Sequence, residues 1–270
     1  MGELKPDGTT RIVDPMDAAI SPPRVSVCIA MYNGAQWVGA QLESILAELE
    51  PDDEVIVVDD ASTDTSLDVV RSIDDPRLRL ESRQENRGYV RTFEEALQLA
   101  NREIVFLSDQ DDLWVPGRRA VLVEALSSRA LVASDLVLLP DSRPLPNPLT
   151  GRPWRLQPTP SPGRIATQLR IWAGIAPYFG CAMGARREFL DVALPFPRFL
   201  TESHDLWLAT LANAGGRLGH VSVATVRRRL HENNASPSKP RGWRSVLAAR
   251  VMLLRCTLVA IRRVRRGGLR

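Results

Sequence analysis

Between residues 104 and 112 the chain reads IVFLSDQDD, an apolar run that gives way at once to three carboxylates within four positions. An apolar run this short and continuous suits a strand covered on both faces. Neighbouring carboxylates repel one another and fit poorly inside such a strand. They belong at its end, on an edge where something besides protein offsets their charge. A parallel sheet wrapped in helices has such an edge, because its ligands lie in the crevice beyond the carboxyl ends of the strands.

The first half repeats the pattern. VSVCIA (25–30), EVIVVD (54–59) and LRLES (78–82) precede EIVFLS (103–108), and the polar segments MYN, DDAST, QENRG and DQDD follow them in turn. Between the runs lie helical spacings: Trp37, Leu42, Ile45, Leu46 and Leu49; then Leu67, Val70 and Ile73; then Phe93, Ala96, Leu97 and Ala100. Alternating strand and helix predicts an α/β, Rossmann-like, mostly parallel sheet flanked by helices. The second half is less regular. Residues 130–139 read as a strand, and eight prolines then fall between Pro140 and Pro162, marking an insert or a mobile cover beside the site. Helices are expected near 164–173, 186–193 and 204–213, and a strand over 216–230.

Charge divides the chain. The net charge is +3, yet residues 241–270 hold nine arginines and no acid, so the remainder is net acidic. The basic excess describes a tail and gives no reason to expect a nucleic-acid partner. Within that tail, Trp243 to Ile261 is apolar but interrupted by Arg250 and Arg255. It falls short of the roughly 20 uncharged residues of a membrane span. It reads as a basic amphipathic helix lying on an anionic membrane surface, or else as a helix packed on the protein with a charged end. Cys28, Cys181 and Cys256 stand far apart with no CxxC pair, which argues for a reducing compartment and against a disulfide framework. Residues 1–23 read as a flexible polar tail without the apolar run of a signal peptide. The expected organisation is thus that tail, a ligand-binding half (24–135), a second half (136–240) and the C-terminal helix (241–270).

Asp109 and Asp111 form Asp-x-Asp at a strand tip, with Asp112 beside them. Paired hard oxygen donors in a tight turn suit Mg²⁺ or Mn²⁺, particularly with diphosphate oxygens completing the shell. The bland alternative is a solvated acidic turn. In VVDDAST (57–63), Asp60 or Ser62 caps the following helix, or an acid here accepts hydrogen bonds from a nucleobase or ribose.

Taken together, VSVCIAMYNGAQWVGAQLESIL, VIVVDDASTDTS, ENRGYVRTFEEALQLA and EIVFLSDQDDLWVPGR resemble the family-2 glycosyltransferases of GT-A fold over roughly residues 24–125. The DQDDxW form looks most like the rhamnosyltransferase-type branch of bacterial polysaccharide assembly. The resemblance implies an inverting, metal-dependent transferase. Its donor would be a nucleotide diphosphate sugar (dTDP-rhamnose or a UDP-sugar) and its acceptor a glycan or lipid-linked hydroxyl. It would work in the cytoplasm, peripherally on the inner face of the cell membrane.

By the same resemblance Ala30 and Tyr32 line the base pocket, Asn33 is a further donor-binding candidate, Asp60 holds the base, and Asn86 and Gly88 approach the donor. Asp109 lies against ribose or metal, Asp111 binds the metal with Asp112 as a further candidate, and His231 is a later candidate ligand. Asp205 in TESHDLW matches the catalytic base, with Glu202 in reserve; either acid is also a plain helix N-terminal charge. Arg227, Arg228 and Arg229 are candidates for phosphate contacts. The QxxRW signature of processive synthases is absent. A prenyl-phosphate sugar synthase, a nucleotidyltransferase and a catalytically silent nucleotide-sugar scaffold remain as alternatives.

Overall fold

The computed structural model describes residues 22–147, 150–156, 163–231 and 242–267. The expected N-terminal tail and part of the proline-rich stretch lie outside the described residues. In the first half, the apolar runs become β1 (Val25–Met31), β2 (Glu54–Asp59), β3 (Leu78–Ser82) and β4 (Ile104–Asp109). Between them run α1 (Val38–Leu46), α2 (Ser66–Arg71) and α3 (Tyr89–Leu99). The four strands are parallel, in the order β3-β2-β1-β4.

The double covering follows from residue parity. Val25, Val27, Ile29 and Met31 of β1, with Val55 and Val57 of β2, pack on one face with Val38, Leu42 and Ile45. Cys28, Ile56, Val58, Val105 and Leu107 point the other way and meet Phe93, Ala96 and Leu97. Alternate residues of a strand leave opposite faces, so a continuous apolar run requires helices on both sides.

The second half adds β5 (Leu113–Trp114), α4 (Arg118–Leu126), β6 (Leu131–Leu138), β7 (Arg143–Pro144), α5 (Arg164–Ala173) and β8 (Met183–Arg186). After these come α6 (Arg187–Ala193), α7 (His204–Ala214), β9 (Leu218–Arg228) and α8 (Trp243–Gly267). One sheet runs through both halves, extending as β4-β8-β6-β9-β5, with β7 on β6. Beyond β4 it is mixed: β8 runs antiparallel to both β4 and β6, whereas β6 and β9 are parallel. The sequence offers no apolar run to announce β8, which is only MGAR. Gly184 is its key residue, since a Cβ there would lie 2.9 Å from the Phe106 ring. Close approach of backbone to a large side chain selects glycine.

The C-terminal helix does form, and it packs on α5, α6 and α7. Met252, Leu253, Cys256 and Ala260 are buried in the main core. All three cysteines are buried and unbridged.

At the opposite end of the sheet from the acidic loops, one buried ion pair ties the first strands to α4. Asp53 accepts the Val25 N–H at 2.7 Å and the Glu50 N–H at 2.8 Å, and pairs with Arg119 at 2.7 Å. Removing one partner of a buried pair strands the other charge, at a cost of about 3–5 kcal/mol. Asp53→Ala should therefore lower stability by an amount in that range. Chemical denaturation of the two proteins gives the measurement, and a change below about 1 kcal/mol would show the pair to be solvent-relaxed.

Candidate active site

Strand register brings the acidic loops to one level. Ala30 pairs with Asp109 across β1 and β4, and Met31 with Asp59 across β1 and β2. The chain passes from β1 through β2 to β3 on one side, then crosses to β4 on the other, so a crevice opens beyond β1 where the order reverses. A cleft of about 390 Å³ lies there. Ala30, Tyr32, Asp60, Asn86, Gly88, Asp109 and Asp111 line it from the first half; Phe179, Gly180, Ser203, His204, Asp205 and Arg228 line it from the second.

The Asp60 side of the cleft is built by backbone donors. The Asp60 carboxylate accepts the Arg87 N–H at 2.9 Å and the Gly88 N–H at 2.8 Å, and pairs with Arg83 at 3.1 Å. Gly88 has a φ of 80° with open space around its Cα, so backbone conformation rather than room requires glycine. Asp59 is fully buried; one oxygen accepts the Ser62 N–H and the other has no hydrogen-bond partner. Across the cleft, the Gln110 amide accepts the Tyr32 N–H and donates to the Tyr32 carbonyl, both at 3.0 Å. This pair of bonds joins the loops after β1 and β4.

Behind the mouth sit the crowded acids. Asp112 is buried: one oxygen accepts the Arg229 N–H at 3.0 Å, and the other has no nitrogen or oxygen donor. Ligand atoms of Asp109, Asp112 and Cys181 all lie within 4.8 Å of one another. Burial, then the charges of Asp112 and Asp111, push the Asp109 carboxyl well above its usual range. Burial and the Asp111 charge push Asp112 up to about 6. Asp111 meets His231 Nε2 at 2.6 Å, and the His231 ring stacks on Trp37 at 4.1 Å. Hard oxygens held together at this energetic cost are a fitting donor set for a divalent cation.

Two arginines oppose the acids from within the protein. Arg118 is fully buried and donates to Thr225 Oγ1 at 2.6 Å and to the Cys181 carbonyl at 2.8 Å, with its guanidinium over Trp114. Burial pulls its pKa down to about 10. Arg228, at the end of β9, is also buried and stacks on Phe179.

In the first turn of α7, Asp205 lines the same cleft. It accepts the Leu206 N–H at 2.7 Å, and burial pushes its carboxyl up to about 6. His204 beside it is buried against Phe93 at 4.4 Å, and neither ring nitrogen has a hydrogen-bond partner. Burial drops its pKa to about 3, so the imidazole is neutral.

Of the expected site residues, Ala30, Tyr32, Asp60, Asn86, Gly88, Asp109, Asp111 and Asp205 meet at the cleft. Asp112 lies behind it, and His231 reaches it through Asp111. Asn33 does not line it; the Asn33 amide accepts the Thr63 N–H at 2.8 Å and anchors the neighbouring loop. Glu202 lines a separate groove. Arg118, His204 and Gln110 were not assigned roles from sequence. Only a His next to the Asp205 candidate was there to be noticed, because the contacts that distinguish these residues are long-range.

Comparison with known proteins bears on the family and the fold. The Glycosyl transferase family 2 model matches residues 26–193. An Escherichia coli relative, the UDP-Glc:alpha-D-GlcNAc-diphosphoundecaprenol beta-1,3-glucosyltransferase WfaP, is 33% identical over 91 residues, covering 34% of this chain and 36% of its own. This chain spans about a third of the length of the curated relatives it matches. Among solved structures, S. aureus TarS in complex with UDP-GlcNAc superposes with a TM-score of 0.64 at 19% identity, covering 89% of this chain and 72% of that one. The Pyrobaculum calidifontis mannosyltransferase PcManGT, in complex with GDP-Man and Mn²⁺, has a TM-score of 0.59 at 20% identity, covering 92% and 76%. At these identities the likeness shows the fold.

The two Gln110 bonds give a local prediction. Gln110→Ala should leave global stability nearly intact but speed amide exchange at Tyr32 on the order of fivefold, the effect of losing about 1 kcal/mol of local protection. Hydrogen exchange by mass spectrometry reads this directly, and unchanged protection would show that the two loops hold their positions separately.

Proposed function

The chain belongs to glycosyl transferase family 2 and has the GT-A fold, and on that premise we propose that it is an inverting transferase. In this reading it moves a sugar from a nucleotide diphosphate sugar to a hydroxyl of a lipid-linked glycan, in cell-envelope polysaccharide synthesis. The observation that carries the reading is that Asp205 lines the same cleft as Asp109 and Asp111. A UDP-sugar is the donor that TarS and the WfaP name support. dTDP-rhamnose is the competing donor.

In this reading Tyr32, 46% exposed beside the cleft, packs against the base together with Ala30. Asp60 and the Gly88 backbone hold the nucleoside end. Asp109 and Asp111 hold Mg²⁺ or Mn²⁺, with Asp112 behind them and His231 orienting Asp111. The support is the closeness of Asp109 and Asp112 oxygens beside Cys181, with one Asp112 oxygen lacking a nitrogen or oxygen donor, together with Mn²⁺ in the PcManGT complex. When bound, the cation offsets the carboxylates and stabilises charge on the departing diphosphate. Arg228 adds a second positive charge at the same edge.

Asp205 takes the proton from the acceptor hydroxyl. That oxygen bonds to the anomeric carbon as the carbon–oxygen bond to the diphosphate breaks on the opposite side, and the nucleoside diphosphate leaves. His204, neutral and dry, keeps a second positive charge away from this base.

The test is enzymatic and uses two variants. Asp205→Asn should retain nucleotide-sugar affinity and lose about 10²–10⁴-fold in turnover. Asp111→Ala should lose the Mn²⁺-dependent part of the affinity itself. Asp205 works only when ionised, and burial raises it to about 6. For wild type, kcat/KM should therefore fall as pH drops through about 6, above the ordinary carboxylate value of ~3.9. Near-normal turnover in Asp205→Asn would sink the assignment.

We also propose that the enzyme works in the cytoplasm, on the inner face of the cell membrane. Among the described residues no helix is long and apolar enough to cross a bilayer. Leu254, Leu258 and Ile261 of α8 are nevertheless exposed on its outer face, among arginines. Anionic lipid attracts such a surface by about 1 kcal/mol per arginine. Deleting α8 would uncover the core around Met252 and Cys256, so a double substitution, Leu254→Asp with Leu258→Asp, is the cleaner probe. Wild type should sediment with phosphatidylglycerol vesicles and release as salt rises, whereas the double variant should stay in solution. Equal sedimentation by both would refute the surface assignment.

A further inference from the structure

A second concavity, of about 510 Å³, lies between α8 and the segment leading into α7. Its walls are Phe199, Thr201 and Glu202 on one side and Trp243, Leu247, Val251 and Met252 on the other, with Arg244 and Arg255 beside them. We propose that this groove holds the isoprenoid diphosphate end of the acceptor: the hydrocarbon against the apolar side chains, the diphosphate against the two arginines. The proposal rests on the reading of the cleft as a site of sugar transfer to a lipid-linked acceptor.

Position is the first argument. Glu202 lines the groove, while Ser203, His204 and Asp205 line the cleft, so one unbroken segment forms both walls. Three residues span at most about 10 Å. An acceptor whose lipid lies in the groove thus has its first sugar next to the proposed base.

Chemistry is the second. Trp243, Leu247 and Val251 are 72%, 57% and 51% exposed, an unusual outlay of large apolar side chains on one helical stripe. A stripe at i, i+4 and i+8 faces one direction. Arg255 stacks on Phe199 with its guanidinium 4.0 Å from the ring centroid, placing positive charge within the apolar wall. Two arginines against the single acid Glu202 leave the groove cationic. Apolar walls with fixed cations match a long hydrocarbon carrying an anionic head. They would repel a second copy of the same arginine-rich helix. The groove's size also falls within the roughly 300–1,000 Å³ typical of ligand sites.

The experiment is isothermal titration of the full chain with farnesyl diphosphate, in the presence of saturating UDP and Mn²⁺. Leu247→Asp, Val251→Asp and Arg255→Gln alter exposed positions, and circular dichroism checks that each folds. Farnesyl diphosphate should bind wild type beside UDP, at least tenfold more tightly than inorganic pyrophosphate. Each variant should lose tenfold or more while its UDP affinity stays unchanged. Displacement of farnesyl diphosphate by UDP would place the diphosphate in the cleft and overturn the proposal. So would equal binding by wild type and variants, or no binding by wild type. Failure of UDP to bind at all would count against the cleft reading instead, so the two ideas fail separately.

Discussion

Keeping Asp109, Asp111 and Asp112 together is the constraint on which the rest of the structure turns. Two of the three are pushed toward protonation by burial and by one another. Such a group persists only when neighbouring elements fix it from several directions. The Arg229 N–H holds one oxygen of Asp112, and His231 holds one of Asp111. Arg118, without solvent contact, binds the Thr225 hydroxyl and the Cys181 carbonyl, and its charge lies beneath the acids. A buried guanidinium with two hydrogen bonds and an aromatic face is costly to desolvate, and here it locks β9 and the turn before β8 to the end of β4. The mixed half of the sheet is arranged around that knot.

The same arrangement explains how two carboxylate environments coexist in one cleft. Asp205 stands at the start of a helix, where the dipole favours the ionised form. Burial outweighs that effect and raises the acid to about 6. Its neighbour His204 has no polar partner and is packed against Phe93 and Phe196. Gly180 completes the fit, since a Cβ there would stand 2.8 Å from His204 Nε2.

α8 links this chemistry to the outside of the protein. One face is part of the core, through Met252, Leu253, Cys256 and Ala260. The opposite face exposes Leu254, Leu258 and Ile261 beyond the groove. A helix with two apolar faces separated by arginines needs two partners, and the protein body supplies only one. From its residue pattern alone, the tail suits either the membrane surface or the protein. Packing on the protein is present, and it leaves the second face free for the membrane role proposed above.

Much of the first half was legible in the residue order, because its information is local. A strand covered on both faces must be apolar at every position, so VSVCIA, VIVV and IVFL announced β1, β2 and β4, and the acids after them marked the ligand edge. Asp205 was legible only as a match to TESHDLW, and its place in the same cleft as Asp109 is a fact of tertiary structure. Nothing local distinguishes Arg118 from the other arginines, or Cys181 from an ordinary buried thiol. Their roles arise from packing between segments some 60 to 110 residues apart. Likewise MGAR carries too little apolar pattern to declare a strand, and β8 exists because β4 and β6 leave a gap that only a glycine-bearing segment fits beside Phe106. The sequence by itself determined the parallel half and the edge where charge collects, since alternation and burial are written residue by residue. Which arginines oppose that charge, which acid faces it, and that α8 has a second face left over were decided only by tertiary structure, because each depends on distances between residues remote in the chain.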